Sequence, residues 1–222
     1  MALTVERRTF ESSLVHVGEV LGLDSEGPLA RVLPMRRAGW EPANGARAGR
    51  RPSLLIVEGA LLHTVIVRGR EGADLLGAGD LVPVDPGEPP FATRHRVLVP
   101  GRVAVLDDRV MLGAAAEPEI TIALADTALR RAGALAGQVV LAQLVAIDDR
   151  LRILFPSLAE RWGRVTADGV VLPSFLSHTV LSALVGARRP SLTAAVSRLV
   201  DDGTVRRLPD RRWLLPNGLD RL

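Results

Sequence analysis

One segment constrains the architecture of this chain more than any other. From Glu117 to Ile147 there is no proline beyond Pro118 at the very start, and apolar residues recur at helical spacing on two sides. Ile120, Leu124, Ala128, Leu135, Val139 and Ala142 form one stripe; Leu129, Ala136, Val140, Leu144 and Ile147 form another. A helix that is apolar on two sides must be buried on two sides. One side can cover a neighbouring domain. The other needs a second partner, and the same helix of a second copy is the economical choice. The plain alternative is a core helix of a monomer. The segment therefore predicts a homodimer formed through residues 117–147. It also divides the chain into three units: 1–115, a dimerisation helix over 116–147, and 148–222.

Upstream the texture differs. Short apolar runs alternate with Gly and Pro: Leu54–Val57, Leu61–Val67, Leu75-Leu76 before Gly77-Ala78-Gly79-Asp80, then Arg96–Val99 and Arg102–Leu106 separated by Pro100-Gly101. Short strands at close spacing with such punctuation predict a β-roll or jelly roll. Val82–Gly87 has turn composition, and Gly39–Pro52 reads as a loop.

Downstream of Asp148-Asp149 the order is helix (Arg150–Trp162), turn (Thr166–Gly169), strand (Val170–Leu172), helix (Ser177–Val185), tight turn at Gly186, helix (Pro190–Asp202) and two strands (Val205–Leu208, Trp213–Leu215). This is the order of a winged helix-turn-helix. The fold class is thus α+β: an N-terminal β-roll sensor domain, a long dimerisation helix and a C-terminal winged helix-turn-helix domain.

The second helix of that motif carries the functional signal. Leu192, Ala195, Val196, Leu199 and Val200 fall at i, i+3, i+4, i+7 and i+8, a single apolar stripe. The opposite face holds Ser191, Thr193, Ala194, Ser197 and Arg198, slim enough for a major groove about 12 Å wide. The N-terminal residues of such a helix meet base edges, and Arg188 and Arg189 stand there. An arginine can fork onto guanine N7 and O6. Ser177, His178, Thr193, Ser197 and Arg198, with Arg211 and Arg212 of the wing, suit phosphate oxygens; Ser191 reads or flanks bases. From Leu184 to Arg212 there are seven arginines and three acids.

The composition tempers that signal. All 28 basic residues other than histidine are arginine, which fits a GC-rich gene, and the formal net charge is only +3. Arginine content alone therefore proves no nucleic-acid partner. Winged helices also serve as protein-interaction modules, which stands as the alternative reading.

At these residues the chain resembles the Crp/Fnr family of bacterial transcription regulators. LSALVGARRPSLTAAVSRLVDDGTV (Leu181–Val205) resembles that family's helix-turn-helix pattern, and GADLLGAGDLV (Gly72–Val82) its β-roll stretch. The resemblance implies a homodimer on a two-fold, pseudo-palindromic double-stranded DNA site, acting on transcription with RNA polymerase as a candidate partner. By position, Arg189 matches the family's base-reading arginine. Pro190 stands in place of the usual glutamate and Ala194 in place of a further frequent arginine. In cyclic-nucleotide-binding members a Gly-Glu pair and an Arg-Ser/Thr pair hold the ligand. Here those positions are Pro83-Val84 and Phe91-Ala92, so no response to cyclic AMP is expected, and any small-molecule effector is unknown.

The sequence offers no cofactor. Without cysteine there is no thiolate-held cluster, and a cytoplasmic location is the default. His16, His63, His95 and His178 are scattered, with no metal-ligand spacing. A cupin-like enzyme would need clustered His and carboxylate ligands, so no catalytic activity and no metal are expected. No apolar run approaches a membrane span.

Overall fold

A computed structural model describes residues 13–37, 40, 42, 53–82 and 90–216. Pro83, Val84 and most of the expected loop at 39–52 lie outside the described residues.

The N-terminal unit contains β1 (Leu14–His16), α1 (Val17–Leu21), β2 (Leu29–Met35), β3 (Ser53–Val67), β4 (Arg70–Gly77), β5 (Leu81–Val82) and β6 (Phe91–Leu106). They form an antiparallel sheet in the order β1-β2-β6-β3-β4, with β5 also on β3. Sequence reading expects four short strands where the structure has two long ones. β3 and β6 pair from Ser53↔Leu106 to Val67↔Phe91, with register shifts between Ile56 and Leu61. Pro100-Gly101 is therefore a bend within a strand and not a strand end. Gly59 takes φ +104°, and a Cβ at Gly101 would run into the Glu58 carbonyl. The two glycines let the backbones cross closely at the irregularity, where a proline is also tolerated. The bend folds both halves of each strand around one core: Leu54 and Ile56 from one half, Leu61 and Val97 from the other, closed by Met35 and Leu76.

The other sheet face, through Leu55, Ala104 and Leu106, is covered by α2 (Asp108–Ala115) and the start of α3 (Pro118–Gln143). Asp107 caps α2, its Oδ1 accepting from the Val110 N–H at 3.0 Å. Proline in the first turn of α3 costs no hydrogen bond.

The segment expected as one helix to Ile147 stops earlier. α3 ends at Gln143, Leu144 is extended, and α4 (Ile147–Trp162) begins after a three-residue corner. The Arg150 guanidinium sustains the corner: Nε donates to the Leu144 carbonyl and Nη1 to the Val185 carbonyl, both at 2.8 Å. The turn lets Leu151, Phe155 and Leu158 of α4 enter the C-terminal core.

That core is closed by β7 (Arg164–Thr166), β8 (Gly169–Leu172), α5 (His178–Leu184), α6 (Arg189–Asp201), β9 (Arg206–Arg207) and β10 (Trp213–Pro216), with sheet order β7-β8-β10-β9. Leu62, Ala73 and Leu75 of the roll belong to the same apolar cluster, so this unit docks on β3 and β4. Arg161 pairs with Asp80 at 2.5 Å, and the Trp162 ring lies against Gly77 where a side chain would collide.

Candidate nucleic-acid interface

Leu192, Ala195, Val196 and Leu199 of α6 are buried, each large side chain contributing about 1.5–3 kcal/mol. Val200, expected to extend this stripe, is instead 38% exposed. At i+8 from Leu192 the 3.6-residue period has carried the side chain about 80° round from the stripe's first residue. Val180, Leu181, Leu184 and Val185 meet the stripe from α5. Gly186 at φ +63° makes the turn between the two helices.

The expected outer face is exposed: Arg188, Arg189, Ser191, Thr193, Ala194, Ser197 and Arg198. Arg188 is the N-cap of α6 and Arg189 opens the helix, so both guanidiniums extend from its N-terminus. Arg188, Arg189, Arg206 and Arg211 have no acidic partner among the described residues. Arg198 and Arg212 do. Arg198 Nε and Nη2 fork onto Asp148 at 2.7 and 2.5 Å, which holds the Asp148 carboxyl below its ordinary range. Arg212 Nε donates to Asp210 at 2.6 Å.

Ser177 caps α5, its Oγ accepting from the Val180 N–H at 3.4 Å, so its hydroxyl proton stays available. Thr193 Oγ1 donates back to the Arg189 carbonyl at 3.0 Å. With that proton spent, the 3.2 Å contact from His178 Nδ1 must be a donation into Thr193 Oγ1. The neutral ring then leaves Nε2 as an acceptor. Burial first, then Arg207 and Arg189, pushes the His178 pKa down, so the ring is neutral at pH 7.

Trp213 organises this end of the domain, a role that its place in a short apolar strand gave no sign of. It is buried, and its indole N–H donates to the Leu176 carbonyl at 2.7 Å. Phe155 meets its ring edge-on at 5.7 Å, His178 stacks on it at 5.7 Å, and Arg207 lies 4.1 Å over it. The ring thus fastens α4, α5 and the wing together.

Two features of the roll were not visible in sequence. His63 and His95, 32 positions apart, are register partners on β3 and β6, with Nδ1 and Nε2 3.0 Å apart. Burial, His95 and Arg131 push His63 down to about 4, so the His63 imidazole is neutral near pH 7. Among the described residues no group of three or more potential ligands could hold a metal ion. Asp74 and Arg131, 3.3 Å apart, line a mainly apolar cavity of about 350 Å³ between β4, α3 and α5. Arg131 also donates to the Leu81 carbonyl at 3.1 Å. Phe91 and Ala92 are exposed at the end of the β3–β6 pair and do not line this cavity.

No protein-family model and no curated protein matches the chain. Solved structures do. A CooA variant from Carboxydothermus hydrogenoformans superposes with a TM-score of 0.67 at 16% identity, covering 84% of this chain and 83% of that one. FixK2 from Bradyrhizobium japonicum gives 0.63 at 15% identity, covering 85% and 93%. A transcriptional regulator of the CRP/FNR family from Thermus thermophilus gives 0.62 at 16% identity, covering 84% and 93%. The bent β-roll, the long helix and the winged helix-turn-helix thus compose, in this chain, the two-domain fold of the CRP/FNR transcriptional regulators.

Proposed function

We propose that this protein is a homodimeric, sequence-specific DNA-binding transcription regulator of the cytoplasm, without enzymatic activity and unresponsive to cyclic AMP. The observation that carries the reading is the exposed N-terminus of α6, where Arg188 and Arg189 extend with no acid to neutralise them. Arg188, Arg189 and Ser191 read or flank base edges. Ser177, Ser197, Arg211 and Arg212 hold phosphates. Thr193 and His178 brace the helix start through their mutual hydrogen bond. Arg198 reaches a phosphate by exchanging its Asp148 partner.

The dimer reading rests on α3. Its buried face, with Ile120, Leu124 and Leu141, lies on the roll side, while Ile122, Leu129 and Val140 form an exposed apolar stripe on the opposite face. A second copy covering that stripe would set two α6 helices on the half-sites of a two-fold duplex. Against cyclic AMP stands the cavity beside α3: the arginine that lines it, Arg131, is already engaged by Asp74 and the Leu81 carbonyl. A buried phosphate would have to displace a carboxylate.

Selection of bound duplexes from a random pool, followed by anisotropy titration, tests this reading. A recovered two-fold motif bound at least about 10³-fold more tightly than random duplex is the expected result. Absence of duplex binding at low salt would leave the protein-interaction reading in its place.

A further inference from the structure

His178 stands where α5, α6 and the wing meet, and its hydrogen bonds run in one direction. It opens α5, stacks on Trp213 at 15° and reaches the outer face of α6 through Thr193. Thr193 Oγ1 gives its proton to the Arg189 carbonyl at 3.0 Å, so His178 Nδ1 carries the hydrogen of the 3.2 Å contact. A neutral imidazole has one N–H. Nε2 is therefore a bare lone pair, with no hydrogen-bond partner among the described residues. Moving the hydrogen to Nε2 would turn Nδ1 into an acceptor. Thr193 would then have to leave the Arg189 carbonyl to serve it, or the contact would be lost.

The charged groups that act on the ring are cations. Burial first, and then Arg207 of β9 and Arg189 of α6, hold its pKa below the ordinary imidazole value. Arg207 is packed in place: its guanidinium lies 4.1 Å over the Trp213 ring, and its Nη1 is buried with no hydrogen-bond partner among the described residues. Asp210 of the wing tip is engaged by Arg212. Without DNA, a charged His178 would be a third cation beside two others. A phosphate reverses both conditions. Its charge offsets Arg189 and Arg207, and its oxygens only accept hydrogen bonds. The Nε2 lone pair repels them, whereas an Nε2–H donates to them with charge assistance.

We propose that His178 takes up one proton from water at Nε2 when duplex DNA binds, and that the imidazolium donates to a backbone phosphate while its Nδ1–H stays on Thr193. The proposal rests on the DNA-binding role given above. Over the pH range where the bound ring is charged and the free ring neutral, the complex holds a proton that the free protein lacks. Affinity therefore rises as pH falls, by up to about tenfold per pH unit for each proton taken up.

Histidine isotopically labelled at Cε1 lets NMR titrate each ring of the full chain, alone and on the selected two-fold duplex. The His178 signal is identified by its absence from His178→Asn, which keeps an amide donor near the Nδ1 position. Its midpoint is expected below 6.5 in the free protein and above 6.5 on the duplex. Calorimetry near pH 6.5, in buffers of different protonation enthalpy, should show net proton uptake that His178→Asn abolishes. Thr193→Val gives a check that keeps the ring. With Nδ1 released, the imidazole can present Nε2–H as a neutral tautomer, so uptake should fall. A midpoint that does not rise on the duplex, uptake that survives in His178→Asn, or uptake unchanged in Thr193→Val overturns the proposal. Duplex binding without proton uptake overturns it and leaves the DNA-binding role standing. No duplex binding at low salt brings down both.

Discussion

The arginines of the helix-turn-helix entry and the arginines that tie the folded units together are chemically identical, yet they are placed in opposite ways. Four guanidiniums in and between the folded units are matched: Arg102 with Glu58 inside the roll, Arg131 with Asp74 and Arg161 with Asp80 where helices meet the roll, and Arg152 with Asp202 and Thr204 inside the C-terminal unit. At the start of α6 and along the wing, Arg188, Arg189, Arg206 and Arg211 have no acid among the described residues. In a chain whose strong bases are all arginine, the residue type says little. What distinguishes the two regions is whether the fold supplies the counter-charge. A cation that the protein leaves unmatched, on a slim helix face, is suited to an anion from outside.

This contrast can be broken or sharpened by substitution. The largest effect is expected at Trp213, whose buried ring holds the wing and its arginines against α5. Trp213→Ala should cost about 3–5 kcal/mol, read as a fall in the unfolding midpoint of the C-terminal unit, with loss of duplex binding. Next is the exposed stripe of α3. Leu129→Glu should convert dimer to monomer in sedimentation and weaken binding to a two-fold site about a hundredfold, because each head then binds alone. A variant that stayed dimeric would place the interface elsewhere.

The matched, buried side has its own signature in pH. In the unfolded chain the His63 imidazole titrates at 6.5, and in the fold at about 4. Between these values the unfolded state holds a proton that the folded state excludes, so falling pH favours unfolding. The contribution is complete above 6.5 and gone by about 4, a loss on the order of 3 kcal/mol. His63→Asn, which puts an uncharged amide near the Nδ1 position, should flatten that part of the stability–pH curve. The smallest effect moves one arginine between the two classes. Asp148→Asn frees Arg198 and should raise affinity for all duplexes about two- to fivefold, with a steeper salt dependence and unchanged sequence preference.

How much of this was legible in sequence depends on how local the signal is. The α5–α6 unit was readable to within a residue or two because Ser177, Gly186 and Pro190 each act within one turn. On α3 only the start of the expected inward stripe was readable: Ile120 and Leu124 are buried, whereas Ala128, Leu135, Val139 and Ala142 are exposed. The end of α3 at Gln143 was not readable, because the corner is held by Arg150 reaching across to Val185, a contact between distant segments. Pro100-Gly101 misled as a strand end because the same residues serve a bend once a partner strand crosses them. The His63–His95 pair depends on the β3–β6 register, which no spacing in one strand encodes. At the outer face of α6 and the wing, residue types were legible, but which arginines keep their charge free was not: Asp148, the partner of Arg198, lies 50 positions away.

The central claim, that an unmatched arginine at the start of α6 reads a base, is tested most directly by measuring Arg189→Ala against a selected duplex and its single-base variants by anisotropy. Loss of about 1–3 kcal/mol of affinity for the selected site, with discrimination collapsing at one position in each half-site, is the result expected. Unchanged affinity and unchanged base preference would contradict the account.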